Sequence, residues 1–220
     1  MTDVLSDVRK QLTDGTVWLD RDSVHNHDGL ERAIQSAGSK KPLFAAAVLA
    51  CLTDPDLRLR TGAVAVLRHV VTDIGAARLV GILRDNEALF RGVKPAWQIE
   101  QDDLEHVAAV AVANRATAGD TATIGYLRRI ARDRPWGFYM LQALATLDSQ
   151  WLVANAKGLV PHSSLGVLAA LPVNLRFPLI DALAPWPPEQ PTFFTKAFWK
   201  QLPPDEAARL RGRMWPGSAA

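Results

Sequence analysis

The sequence predicts an all-α protein built as an array of stacked helical hairpins. Alanine and leucine abound, while alternating Val/Ile/Thr runs bounded by glycine turns are absent, so the composition favours helix and leaves no sheet to expect. The stretch CLTDPDLRLRTGAVAVLRHV, residues 51–70, ends one apolar helix, turns at Asp54-Pro55 and opens a second helix with its own apolar stripe. Units of similar length and punctuation return further along. A chain of 220 residues that is 48% hydrophobic has ample material for a continuous core, which argues against disorder.

Taken in order, residues 4–12 read as an amphipathic helix stopped at Asp14-Gly15. Asp28 is the expected N-cap of a second helix through Leu30, Ala33 and Ile34, which Gly38-Ser39 ends. Pro42 suits the first turn of a third helix, whose nearly unbroken apolar character predicts cover on several sides. After the Asp54-Pro55 turn, Ala63, Val64, Leu67, Val70, Val71 and Ile74 keep helical spacing and form one core-facing stripe. DIGAARLVGILRD, residues 73–85, repeats that spacing in Leu79, Ile82 and Leu83, and EALFRGVK follows as its partner helix.

Pro95 interrupts the pattern, and PAWQIEQDD reads as a kink or insertion before a long helix over about 102–117. Asp120 then opens DTATIGYLRRIARD, which matches DIGAARLVGILRD in length, leading Asp and closing Arg-Asp. Two further pairs follow: WGFYMLQALATLD with SQWLVANAKGLV, and SSLGVLAAL with VNLRFPLIDALA. Ten of the 14 prolines lie from Pro161 onward, so helices around 193–202 and 205–212 are expected to form an irregular closing cap.

The hairpins share a motif. Leu52-Thr53-Asp54 and Leu83-Arg84-Asp85 stand 31 residues apart, and each Asp is followed six residues later by Arg, Asp54 by Arg60 and Asp85 by Arg91. This pattern resembles the HEAT-repeat family, in which a turn Asp and an Arg six positions on form a ladder between neighbouring hairpins. The resemblance implies a right-handed α-solenoid of about five stacked hairpins with a Pro-rich C-terminal cap. It divides one domain, 1–220, into N-terminal cap helices (1–41), repeats (42–184) and a C-terminal cap (185–220). Asp133 and Asp148 are followed at six by Tyr139 and Ala154, so the ladder is expected to stop there.

Composition constrains the chemistry. The one cysteine, Cys51, lies in an apolar helical run, so no disulfide framework exists. The longest apolar run, 43–52, is too short to cross a bilayer, and the charged start MTDVLSDVRKQL is unlike a signal peptide; a cytoplasmic protein with no membrane partner is expected. Residues 23–28, SVHNHD, place His25, His27 and Asp28 together, yet no second Cys/His cluster completes a metal set, and Asp28 is needed as a cap. No phosphate-loop, dinucleotide, nucleophile-elbow or zinc-protease motif occurs, and His69, His106 and His162 stand on separate elements. Neither a metal nor a cofactor is expected.

Charge is uneven: residues 1–120 hold 14 basic and 17 acidic side chains, and 121–220 hold 11 and 6. Arg128, Arg129, Arg132 and Arg134 crowd one turn with Trp136 and Tyr139, planar and cationic groups of the kind found at binding hot spots and on single strands. With Trp97 they form the candidate partner-binding set. The expected function is a non-enzymatic scaffold or adaptor holding another protein on its concave face. The alternative is DNA or RNA binding through the basic C-terminal half. HEAT-like DNA glycosylases place a carboxylate among tryptophans and basic residues, and Asp102 or Asp103 with Trp97, Trp136 and the arginines supplies comparable ingredients.

Overall fold

The computed structural model describes residues 2–13, 36–70, 75–94, 103–113, 115–133, 138–187 and 196–216. Every regular element among them is helical, no strand occurs, and no helix is long and apolar enough to cross a membrane. The chain divides into two compact units, Met1–Ala116 and Thr117–Ala220, and this boundary falls inside the stretch 42–184 expected to carry the repeats.

The first unit contains α1 (Thr2–Thr13), a 3-10 turn (Gly38–Lys40), α2 (Lys41–Cys51), α3 (Leu57–Val70), α4 (Ala76–Asp85), a second 3-10 turn (Glu87–Leu89) and α5 (Leu104–Ala113). Helix α1 packs on both α2 and α3, α2 packs on α3, and α5 packs on both α3 and α4. Val8 and Leu12 of α1 are fully buried, and α3 admits them by offering Gly62, where an added Cβ would lie 3.0 Å from Leu12 Cδ2 and 3.3 Å from the Leu12 carbonyl oxygen. Helix α2 buries Val48, Cys51 and Leu52 but leaves Pro42, Leu43, Ala46 and Ala50 exposed. Its cover is thus narrower than its composition predicts, because alanine is equally at home on a helix surface. Helix α5 is covered more broadly: Leu104, Ala108, Ala109 and Val112 are fully buried.

The turn between α2 and α3 is held by three side chains. Asp54 Oδ1 accepts the Asp56 backbone N–H at 2.9 Å, while its Oδ2 pairs with Arg9 of α1. Arg60, almost wholly buried, donates from Nη1 to the carbonyls of Asp54 (2.7 Å) and Pro55 (3.0 Å). Asp54 and Arg60 therefore meet through the Asp54 main chain, and the carboxylate reaches across to α1. At the turn after α4 Asp85 is exposed beside Arg84, and Arg91 donates to Glu87 Oε1 at 2.6 Å.

Residues 87–94 depart from the expected helix EALFRGVK. Gly92 takes φ +71°, a left-handed conformation that ends helical winding, so only the 3-10 turn forms, anchored by the fully buried Phe90. Helix α4 pairs instead with α5, whose entry is fixed where Leu104 N–H donates to the Val93 carbonyl at 2.8 Å.

The second unit contains α6 (Thr121–Asp133), α7 (Phe138–Leu147), α8 (Ser149–Ala154), α9 (Ala156–Leu159), a 3-10 segment (His162–Ala169), α10 (Val173–Ala182), α11 (Lys196–Trp199) and α12 (Pro204–Met214). Helix α7 packs on α6, on α8 and on the 3-10 segment, α8 on α10, and α10 on α12. SQWLVANAKGLV, expected as one helix, breaks at Asn155, whose φ is −110° and whose side-chain amide donates to the Trp151 carbonyl at 2.8 Å. SSLGVLAAL is wound as 3-10 rather than α, bent at Ser164, and still buries Leu165, Val167 and Leu168. Near the C-terminal end Trp186 lies against His162 with the rings tilted by 40° (centroids 4.5 Å) and meets Trp215 edge-on at 6.0 Å. The two indole N–H groups donate to the carbonyls of Ile180 (3.1 Å) and Pro187 (2.8 Å).

Candidate functional site

The best-formed polar cluster that reaches solvent is built on α6. Asp120 caps this helix: Oδ1 accepts the Thr123 N–H at 2.9 Å and Oδ2 accepts the Thr123 hydroxyl at 2.5 Å. Helical spacing then sends Ile124, Leu127, Ile130 and Ala131 into the core and leaves Arg128, Arg129 and Arg132 at the margin and outside.

Arg128 and Arg132, one turn apart, converge on a single ring. Their guanidinium carbons lie 5.2 and 5.3 Å from the centroid of Trp151 on α8. Arg128 Nε also donates to Asp148 Oδ2 at 2.5 Å. Asp148 precedes α8 without capping it through its side chain, so the carboxylate serves the arginine instead. Arg129 turns the other way, 5.2 Å over Tyr126 and 3.7 Å from Asp133. Each cation–π contact of this kind is worth about 0.5–1 kcal/mol at a surface, enough to restrict a long side chain without fixing it rigidly.

Of the expected partner-binding set, the structure brings Arg128 and Arg132 together and sets Arg129 apart from them. Trp97, Arg134 and Trp136 lie outside the described residues, as does the side chain of Tyr139. Trp151 and Asp148 are the members that sequence reasoning missed: Asp148 stands 20 residues from Arg128, and no local spacing announces that pairing. The available hint is the i, i+4 placement of Arg128 and Arg132, which makes any one ring beside them a shared one.

Of the two carboxylates offered for catalysis, Asp103 is engaged elsewhere. Asp103 is buried, and both its oxygens act structurally: Oδ1 accepts the His106 N–H at 3.0 Å and Oδ2 the Gly92 N–H at 2.8 Å. It is the N-cap of α5 and its tie to the preceding loop. Asp102, His25, His27 and Asp28 lie outside the described residues. Among the described residues no group of three or more His, Cys, Asp or Glu side chains is placed to hold a metal ion. Cys51 is buried, and loss of hydration pushes its thiol up to about 11, away from thiolate chemistry. What the α6–α8 cluster offers is recognition: planar cations with fixed N–H edges, suited to carboxylate or phosphate oxygens.

Comparisons with family models, curated proteins and solved structures give no match to this chain.

Proposed function

We propose that this chain is a non-enzymatic HEAT-like α-solenoid adaptor, cytoplasmic, that binds a partner protein on a concave face lined by the second helices of its hairpins. The observation that supports the reading is the packing of α3 on α5 beside the pairs α2 with α3 and α4 with α5. Contact between the second helices of successive hairpins is how stacked repeats share one core, since a short hairpin alone leaves a face unburied. The contact of α8 with α10, skipping the short α9, is of the same kind.

The nucleic-acid reading draws on the basic C-terminal half, and here the internal partners matter. Arg128 is matched by Asp148 and Arg129 stands near Asp133, which lowers the charge open to a phosphate chain. Asp103, buried with both oxygens bonded to backbone N–H groups, is placed as a cap rather than as a base for excision chemistry. An adaptor is therefore the better-supported function.

Photo-crosslinking residues placed one at a time on second helices (Arg58, Ala65, Val107, Val110) and on first helices (Ala46, Ala50, Ala77, Arg84) test it. Crosslinks to one protein from the second-helix set are expected. Crosslinks from the first-helix set instead would overturn the surface assignment, and tight binding of labelled DNA or RNA with no protein crosslink would overturn the function.

A further inference from the structure

We propose that Arg132 is the docking point for an acidic, carboxylate-bearing segment of the partner protein, with Trp151 and Arg128 holding it ready. The inference rests on the adaptor reading above for the class of partner and not for the face it uses, because α6 matches a first helix in pattern, and it names the chemistry of what the adaptor holds.

Three observations carry it. First, Arg132 is exposed, and its contact among the described residues is the stack on Trp151; no carboxylate there takes its donors. A guanidinium resting on an indole keeps its in-plane N–H groups directed outward, in the fork that fits both oxygens of one carboxylate. Second, Trp151 is itself held, because Arg128 lies over the same ring and is anchored by Asp148 at 2.5 Å. Part of the side-chain freedom that a free surface arginine would lose on binding is already lost in the unbound protein.

Third, the charge pattern selects the occupant. Arg128 is balanced by Asp148 and Arg129 by Asp133, so among the described residues of α6 the arginine without a carboxylate beside it is Arg132. One open fork matches a carboxylate within a peptide, whereas a nucleic acid needs a succession of unpaired cations along its phosphates. Single-stranded nucleic acid also needs an open aromatic face for its bases, and two guanidinium groups already occupy the ring of Trp151.

The test uses the full chain and three fluorescein-labelled probes: hexaglutamate, hexaglutamine and an oligothymidylate. Anisotropy at low salt should show hexaglutamate binding best, weakening as salt rises. Arg132→Gln should weaken it by about tenfold, and Arg132→Lys by several-fold although the charge is kept, because the fork is lost. Arg129→Gln, which removes a cation already facing Asp133, should change little. Trp151→Leu should weaken binding while retaining Arg132; if that variant does not fold, Arg132→Gln alone decides, since its side chain is exposed.

Equal binding of hexaglutamate and hexaglutamine, or wild-type affinity in Arg132→Gln, overturns the proposal. So does Arg132-dependent binding of oligothymidylate in place of hexaglutamate, which would make the occupant a nucleic acid. If these results coincide with protein crosslinks from the second helices, the acidic docking point fails and the adaptor reading stands.

Discussion

Arg176 of α10 and Glu206 of α12, thirty residues apart in the chain, form a 2.7 Å ion pair whose side chains are only 11% and 5% exposed. Arg176 Nε also donates to the Leu171 carbonyl at 3.1 Å, so one guanidinium ties the loop before α10 to the last helix. Two charges removed from water gain little over a well-packed apolar pair, but one stranded by loss of its partner costs about 3–5 kcal/mol. Arg176→Met and Glu206→Leu should each lower stability to urea by that amount, and the double variant should recover most of the loss. Simple additivity of the two losses would show that the pair is not coupled.

Asp103 gives the second prediction. An N-cap side chain is worth about 1–2 kcal/mol, and this one also satisfies the Gly92 N–H across the 3-10 loop. Asp103→Ala should therefore destabilise the protein by roughly 2 kcal/mol and expose the Gly92 and His106 amides to hydrogen exchange. Asn in its place should restore part of both, because its carbonyl still accepts one bond. Unchanged exchange at the two amides would mean that the cap does not hold in solution.

Helix α6 was legible in the sequence almost to the residue, from the Asp120 cap to Asp133. Both its cap and its amphipathic period are local, and local chemistry decides them. The failures lie where one residue overrides a period. Gly92 and Asn155 each stop a run whose apolar spacing continues past them. The exposed stripe of α2 escaped for a different reason: alanine carries no information about which side of a helix is covered. In the candidate site Arg128 and Arg132 were legible as a cationic turn. The ring they share was not, because Trp151 reaches them only through the packing of the second unit.

Gly62 makes a prediction in which propensity and packing oppose each other. In an exposed helix interior, Gly→Ala is worth up to about 1 kcal/mol of stability. Here the new Cβ would stand 3.0 Å from Leu12 Cδ2, 3.2 Å from Leu12 Cβ and 3.3 Å from the Leu12 carbonyl oxygen, and Leu12 is fully buried. Backbone cannot yield as a side-chain tip does, and overpacking costs about 1–3 kcal/mol. Gly62→Ala should thus lower the melting temperature and loosen α1, seen as faster amide exchange from Val8 to Leu12. A rise in melting temperature would show that α1 can slide to make room.

Asp54 ties stability to pH. Its carboxyl is held below the usual carboxylate range, first by the Asp56 backbone N–H and also by Arg9. A carboxyl of lowered pKa adds stability that is complete above its unfolded value of about 3.9 and is lost as pH falls through the folded value. Arg9 is 44% exposed, so its share is small, and Arg9→Ala should cost under about 1 kcal/mol. The turn hydrogen bond dominates, and Asp54→Ala should cost about 1–3 kcal/mol at neutral pH. Urea denaturation of wild type and Asp54→Ala from pH 7 downward should show a constant gap that closes below about pH 4. A gap that persists unchanged in acid would assign the loss to the turn's shape rather than to the charged carboxylate.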